Sequence, residues 1–479
     1  MLRLFRHHIP FPSLALAGFE TLLFFVLLYV LYAARTLLWE GAFTVEHVEP
    51  LMLGAMSLLS FLVMASVGMY NRDVFFNMQT MIGRGLITYP IIFIVNSMVL
   101  FFLSLFWWSE ASQYHALVLA AVIIAFPLNI LFRLIFVEAV NLDVFRRRIL
   151  VLGTGHLAAN IDKLVSKQAK RHFSVDAYVE FGAPDEADAE LSRVLPNSLL
   201  EERGALAKYV LKHGIDEIVV ASRQRRRREG ALGSGLPIWD LMDCKLYGTE
   251  VTEYATFWER EAAEIDLDEL VPSWLIFSDG FRLDWARQFI KRSFDVLVSL
   301  IFLVFTLPIT MSTALLVKVT SPGPVFYRQE RVGLNGKSYW VLKFRSMRND
   351  AEKDGPQWAK AGDARVTSIG GFMRKTRIDE LPQIINVLKG DMSFIGPRPE
   401  RPVFVAELAK ELPFYNERHR VKPGISGWAQ INYPYGASIE DAKRKLAYDL
   451  YYVKNGSLFL DFVILVQTVR VVLWPEGVR

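Results

Sequence analysis

The pair Asp379-Glu380 stands inside Arg374 to Gln383, RKTRIDELPQ, with Arg374, Lys375 and Arg377 just before it and Pro382 two residues after it. Adjacent carboxylates among bases suit phosphate chemistry. A carboxylate can attack phosphorus or share a hard cation with phosphate, and bases neutralise phosphate oxygens. Proline is tolerated in a helix only in the first turn, where its missing N–H would have had no partner. The spacing therefore predicts a helix that starts near Ile378 and runs through IINVL, with both carboxylates at its N-terminus. There the helix dipole and free N–H groups favour an ionised carboxylate or a phosphate. An isolated Asp-Glu pair is more often an ordinary charge preference of a helix start, so the surrounding segments must decide.

The chain is 479 residues long, room for several domains, and its 52% hydrophobic content with positive mean hydropathy points to membrane segments. A net charge of +4 is too small to argue for nucleic acid. Cys244 is the only cysteine, which excludes an intrachain disulfide framework or zinc cluster and suits a reducing compartment. Four apolar stretches, roughly 11–38, 49–69, 85–106 and 114–137, are each long enough to cross a bilayer. The first is too long in its apolar core for a cleaved signal peptide, and three more follow it. Arg3, Arg6, Arg72, Arg84 and Arg146 to Arg148 flank one side and Arg35 the other, so both ends of the bundle are expected in the cytoplasm. Glu20, Arg133 and Glu138 are expected near helix ends with their charged heads reaching the interface.

From Ile149 the pattern ILVLGTGHLAANI gives an apolar strand, a Gly-x-Gly turn at Gly153 and Gly155, and a helix. The turn resembles the nucleotide-binding turn of Rossmann-like domains, and the strands DAYVEF and GIDEIVVAS extend a doubly wound pattern to about Leu270. Glu180, 27 residues past Gly153, is late for a ribose carboxylate, and a degenerate or regulatory domain competes with a dinucleotide site. The run Arg223 to Arg228, RQRRRR, could meet acidic lipid or nucleotide, or be a solvated loop. Next, Lys291 to Val319 is apolar enough to span but carries Pro308 in its middle. Lys291 and Arg292 before it, and Lys318 and Arg328 after it, suit a re-entrant hairpin with both ends at one surface, against the alternative of a plain fifth span. VFYRQERVG and SYWVLKF read as a hairpin about Asn335-Gly336, and SLFLDFVILVQTVRVVLW near the C-terminus as a helix lying in the membrane interface or, alternatively, a buried core helix.

Lys291-Arg292 with Asp295, SPGPVFYRQERVG, KFRSM at Lys343 to Met347, RKTRIDELPQ, FIGPRP at Phe394 to Pro399 and PGISGWAQ at Pro423 to Gln430 stand in one order. In that order the chain resembles the bacterial polyprenyl-phosphate hexose-1-phosphate transferases, large monotopic phosphoglycosyl transferases of the undecaprenyl-phosphate glucose or galactose phosphotransferase type. The resemblance runs from Arg287 to the C-terminus. It implies a mixed α and α/β membrane protein: a four-helix transmembrane bundle (1–145), a Rossmann-like domain (146–270), a linker (271–286), and a monotopic catalytic domain (287–479) with a Pro-bent re-entrant helix at about 291–319.

It further implies the reaction. Asp379 would attack the β-phosphate of a UDP-hexose and expel UMP, and undecaprenyl phosphate would then take the sugar phosphate. Glu380, with Asp379, would hold Mg²⁺. Lys343, Arg345, Arg374 and Arg398 would bind substrate phosphate, and Lys291, Arg292, Asp295 and Pro308 would shape the membrane hairpin, Asp295 as ion partner of a nearby base. The expected setting is the bacterial inner membrane with catalysis on the cytoplasmic face, at the first membrane step of exopolysaccharide, capsule or O-antigen synthesis. Downstream glycosyltransferases are the expected partners, and the bundle and Rossmann-like domain offer surfaces for a homodimer. Gly396, Pro397, Pro399, Pro423 and Gly424 read as backbone-shaping residues, and Trp428 as a stacking surface or core residue. Two departures put the sugar in doubt: Asn432-Tyr433-Pro434-Tyr435-Gly436 stands where many members have Asn-Gly-Arg, and Arg377 where a small capping residue is common.

Two other readings compete. A membrane-bound nucleotide-sugar dehydratase or epimerase would need a Tyr-x-x-x-Lys pair on a helix, and Tyr339 with Lys343 has that spacing in a strand-like run. A non-catalytic nucleotide-sensing scaffold would leave the intact Asp379-Glu380 pair and its basic motifs without a role.

Overall fold

A computed structural model describes residues 2–4, 7–9, 11–40, 50–70, 78–106, 114–139, 146–166, 173–181, 191–222, 236–270, 285–348, 351, 365–434, 436 and 438–473. Arg72, the run Arg223 to Arg228, the side chains of Glu138 and Arg470, and residues 271–284 lie outside the described residues. The chain divides into one compact unit of residues 1–133 with 278–479 and a second of residues 134–277.

The first unit opens with helices α1 (Phe11–Glu40), α2 (Pro50–Val67), α3 (Met78–Phe106) and α4 (Tyr114–Ala139), all long and apolar enough to cross a membrane. Their inner faces meet through Leu28, Leu53, Ile92, Val118 and Ala121. The expectation that Glu20 and Arg133 reach outward is overturned. Arg133 is 2% exposed and Glu20 1%, and the guanidinium donates from Nε to Glu20 Oε1 at 2.5 Å and from Nη2 to Oε2 at 2.9 Å. A third donor, Nη1, reaches the Met69 carbonyl at 2.7 Å. Both side chains face inward between the helices rather than outward, and a buried charge is tolerated only when paired and hydrogen-bonded.

The second unit alternates strands and helices: β1 (Arg147–Leu152), α5 (His156–Ser166), β2 (Phe173–Val179), β3 (Val194–Leu195), α6 (Ala205–His213), β4 (Glu217–Val220), α7 (Ile238–Leu246), β5 (Glu250–Glu253) and α8 (Tyr254–Ala262). The strands form one parallel sheet in the order β3-β2-β1-β4-β5. Period-two alternation sends Ile149 and Val151 towards α5 and α8, and Leu150 and Leu152 towards α6 and α7.

The first unit resumes with α9 (Trp285–Thr320), a 36-residue helix containing Pro308. Hairpin β6 (Phe326–Val332) and β7 (Ser338–Phe344) turns at Asn335 and Gly336, both at positive φ (53° and 77°), which is why Asn-Gly serves there. Then follow α10 (Ser368–Thr376), α11 (Gln383–Lys389), β8 (Ser393–Ile395), α12 (Pro402–Glu411), β9 (Gly424–Ser426), α13 (Trp428–Asn432), α14 (Ile439–Asn455) and α15 (Leu458–Leu473). Of the two readings of the last helix, its contacts favour the core helix. Leu460, Asp461 and Ile464 are buried and α15 packs against α2, β8 and β9, because Asp461 turns inward to Lys291 and Tyr452.

Candidate active site

Asp379 and Glu380 do not open an α-helix. They lie in a single 3₁₀ turn, Ile378–Glu380, entered through Arg377 in the left-handed region (φ 58°), and α11 starts only at Gln383. Pro382 precedes that first helical residue instead of following the carboxylates into it, since a tighter 3₁₀ turn fits between Arg377 and the proline. The sharp reversal at Arg377 folds the turn under the end of α10, and both carboxylates are only 8% exposed.

Glu380 is gripped on one oxygen. Oε1 receives Arg398 Nη2 at 2.8 Å and Lys343 Nζ at 3.1 Å, with Arg377 Nη1 at 3.8 Å. Burial opposes its ionisation, but Arg398, Lys343 and Arg377 outweigh burial and hold its carboxyl well below the usual range. Asp379 goes the other way: burial, reinforced by the neighbouring Glu380 charge, raises its pKa despite the same cations. Its Oδ1 is buried without a hydrogen-bond partner. Burial also lowers the Lys343 ammonium, with Glu380 opposing.

Each cation is placed by its own element. Lys343 stands near the end of β7, whose outer edge is held by Asn386 of α11: Nδ2 donates to the Trp340 carbonyl at 2.7 Å and Oδ1 accepts the Leu342 amide at 3.0 Å. The amide side chain thus completes strand pairing for the hairpin and ties Lys343 to the helix that follows the carboxylates. Arg398 follows β8, which pairs in parallel with β9, Ser393 opposite Gly424 and Ile395 opposite Ser426. A Cβ at Gly396 would meet the Lys422 carbonyl and the Gly424 amide, so only glycine allows this approach before Pro397-Arg398.

The other basic candidates are placed differently. Arg345 is 5% exposed and donates to the Ser321 carbonyl at 2.7 Å, behind the turn. Arg374 is half-buried in the last turn of α10 and, among the described residues, is not one of the bases paired with Glu380. Arg377 is, although its sequence signal was only that it occupies an unusual position three residues before Glu380.

Lys291, Arg292 and Asp295, expected to shape a membrane hairpin, tie the start of α9 to this core. Arg292 donates to the Val387 and Leu388 carbonyls at 2.5 and 2.7 Å, capping α11, and Lys291 pairs with Asp461 at 2.8 Å. Asp295 was expected to pair with a base. Instead its Oδ1 accepts the Ser393 hydroxyl at 2.8 Å and the Phe394 amide at 3.0 Å, since Lys291 is already taken by Asp461. At the other end of α9, Val317 packs with Phe344 and Met373, and Ile378 joins the cluster. Trp428 is 5% exposed and stacks on Tyr451, so it packs the core.

In the second unit Gly153 has φ 129°, and a Cβ there would meet the Ala221 carbonyl. The close approach of β4 explains this glycine without a ligand. Gly155 opens α5, accepting Ala159 N at 3.1 Å, and the next residue, His156, meets Glu269 at 3.0 Å.

The bacterial sugar transferase family profile matches residues 286–475, the span holding every element of this site. Over 191 residues the chain is 50% identical to a UDP-N-acetylgalactosamine-undecaprenyl-phosphate N-acetylgalactosaminephosphotransferase of Aeromonas hydrophila, covering 40% of this chain and 45% of the relative. A putative undecaprenyl-phosphate N-acetylgalactosaminyl 1-phosphate transferase of Bacillus subtilis is 54% identical over 129 residues, 27% of this chain and 72% of the relative. A UDP-glucose:undecaprenyl-phosphate glucose-1-phosphate transferase of Xanthomonas campestris is 44% identical over 177 residues, 36% of this chain and 37% of the relative. The chain thus spans less than half the length of the Aeromonas and Xanthomonas relatives it matches. The chain belongs to the bacterial sugar transferase family, the polyprenyl-phosphate sugar-1-phosphate transferases.

Proposed function

We propose that this protein transfers a sugar 1-phosphate from a UDP-sugar to undecaprenyl phosphate at the cytoplasmic face of a bacterial inner membrane. The observation that carries the reading is the contrast within one turn: Asp379 Oδ1 buried without a partner, beside Glu380 held by three cations. A buried anionic oxygen with no donor on it is a poised nucleophile. Its attack on the β-phosphorus forms a carboxylate–phosphate bond and breaks the bond to the bridging oxygen, which leaves with its electron pair as part of UMP. An undecaprenyl phosphate oxygen then attacks the same phosphorus and returns Asp379 to its carboxylate. Lys343, Arg377 and Arg398 neutralise charge gathering on the transferring phosphoryl oxygens, which is the main lever in phosphoryl transfer.

Asp379 and Glu380 would hold Mg²⁺: both offer hard oxygen donors, and Asp379 Oδ1 is uncommitted, while Glu380 Oε1 already carries Lys343 and Arg398. No group of three or more His, Cys, Asp or Glu converges among the described residues, so the ion's remaining ligands would be phosphate and water oxygens. When bound, it would supply charge stabilisation to the diphosphate.

An N-acetylhexosamine is the favoured sugar, because the relatives named for N-acetylgalactosamine are 50% and 54% identical and the Xanthomonas glucose relative 44%. Support for a re-entrant α9 comes from its two ends: Arg292 and Asp295 hold one, Val317 the other, and all bind elements of the same domain. A straight 36-residue helix would extend about 54 Å; Pro308 allows the bend that brings both ends to one face. The product, a lipid diphosphate sugar, is what a glycosyltransferase acting next in polysaccharide assembly would extend.

The test is UMP release by purified protein from UDP-N-acetylgalactosamine, UDP-galactose or UDP-glucose, with undecaprenyl phosphate and Mg²⁺. UMP that depends on Mg²⁺ and is lost in Asp379→Asn is the expected result. No UMP with any of the three sugars, or equal UMP from the variant, overturns the reading.

A further inference from the structure

Behind Arg398 lies a buried ion pair that touches neither carboxylate of the turn. Arg418 (5% exposed) sits in the 3₁₀ segment Tyr415–Arg420, and Asp449 (2% exposed) on α14. Arg418 Nε and Nη2 donate to Asp449 Oδ2 at 3.0 and 2.7 Å, and Nη1 donates to the Tyr415 hydroxyl at 2.8 Å. One donor remains directed elsewhere: Nη2 also reaches the main-chain carbonyl of Arg398 at 2.9 Å. Arg398 in turn carries its guanidinium to Glu380.

We infer that Arg418, fixed by Asp449, is a positioning residue that sets Arg398 against the catalytic turn by holding its backbone. The physical case rests on where the donors go. A buried guanidinium needs its five N–H groups satisfied, and here one of them is directed to a single carbonyl in the Gly-Pro-Arg-Pro loop. Two flanking prolines leave residues 397 and 399 without N–H groups, so this stretch has few main-chain donors with which to pin itself. Gly424 N bonds the Pro397 carbonyl at 2.9 Å, Arg331 the Pro399 carbonyl at 2.9 Å and Val332 N the Glu400 carbonyl at 2.9 Å, so Arg418 fills the one gap in a row of four consecutive carbonyls, 397 to 400, each held from outside the loop. Lys343 is held differently, by strand pairing opposite Tyr327 and by Asn386 on the neighbouring residues.

The inference rests on the transferase reading of the same site, and its test separates the two. The variant is Arg418→Met with Asp449→Leu, which replaces the buried pair by apolar groups of similar size, a change that folds tolerate far better than loss of one partner. Its thermal midpoint is expected close to wild type. Hydrogen exchange of the peptide spanning 393–401 is expected to quicken, with the other peptides of the domain unchanged. UMP release is expected to fall at least about tenfold, yet by less than about twofold when the double change is made in an Arg398→Ala background. Unchanged exchange at 393–401, or an activity loss that multiplies with that of Arg398→Ala, overturns the inference. If the double variant does not fold, Arg418→Lys carries the same readouts, because it keeps the charge beside Asp449 and loses the fork that reaches the carbonyl. Should wild type release no UMP, the transferase reading falls while the exchange result still decides whether the pair holds the loop.

Discussion

Asp379 and Glu380 are chain neighbours pushed in opposite directions. Glu380 is held well below the carboxylate range by Arg398, Lys343 and Arg377 against its burial, while Asp379 is raised by burial and by Glu380 itself. One carboxylate is thereby committed to organising cations and the other is left as an anion that the site has not satisfied. Separation of two neighbouring titrations by environment is how adjacent acids acquire different roles.

Asp379→Asn should lower UMP release by roughly 10³-fold or more and at the same time raise the thermal midpoint at neutral pH. The sign follows from linkage. Asp379 has a folded pKa above its unfolded one, so it favours the fold only where it is protonated, and that contribution is lost as pH rises through the folded value. Asparagine removes the buried charge. Differential scanning fluorimetry showing a lower midpoint for the variant would contradict the burial argument. The same shift predicts that turnover per substrate encounter falls on the acid side at a pH above the ordinary carboxylate range.

His419 is 8% exposed, and its Nε2 is buried without a partner. Burial, then the Arg418 charge, push its pKa down to about 4. Between its unfolded value of about 6.5 and that folded value, the unfolded chain binds a proton that the folded chain refuses, so stability falls as pH drops through this window. The loss should approach about 3 kcal/mol by pH 4. Urea unfolding of His419→Phe at pH 7 and pH 4.5 should show a smaller difference than wild type, and an equal difference would rule the histidine out.

Glu20 and Arg133 form a buried pair between apolar helices. Glu20→Gln or Arg133→Met alone should cost about 3–5 kcal/mol by leaving a buried charge uncompensated, and the combined change to Leu and Met should recover most of it. Thermal melts in detergent would check this, and a single variant as stable as wild type would show that the pair is dispensable.

Much of this was legible in the sequence because it rests on local rules. The long apolar runs, the Asn335-Gly336 turn and the strand patterns of residues 149–220 follow from hydropathy, left-handed backbone preference and period two. The convergence of Lys343 and Arg398 with Asp379-Glu380 came from motif order, not from spacing. What stayed hidden depends on tertiary contacts. Nothing near Asp295 announces that Ser393 and Phe394 will satisfy it, nor that Asp461 will claim Lys291 from 170 residues away. Arg133 was misjudged because sequence position near a helix end does not say which way a side chain faces. The 3₁₀ turn before Pro382 required the left-handed Arg377, a conformation that an arginine seldom signals.

In the proposed reaction Asp379 becomes covalently bonded to the sugar phosphate. Wild-type protein mixed with excess UDP-N-acetylgalactosamine and Mg²⁺, without undecaprenyl phosphate, should release about one equivalent of UMP per active site. Intact-mass analysis of the acid-quenched protein should show the added mass of a sugar phosphate. Proteolysis after borohydride cleavage of the acyl phosphate should place the reduced residue at Asp379, and addition of undecaprenyl phosphate before quenching should discharge the adduct. A burst with the reduced residue elsewhere than Asp379, or UMP formed only when undecaprenyl phosphate is present, would contradict this mechanism.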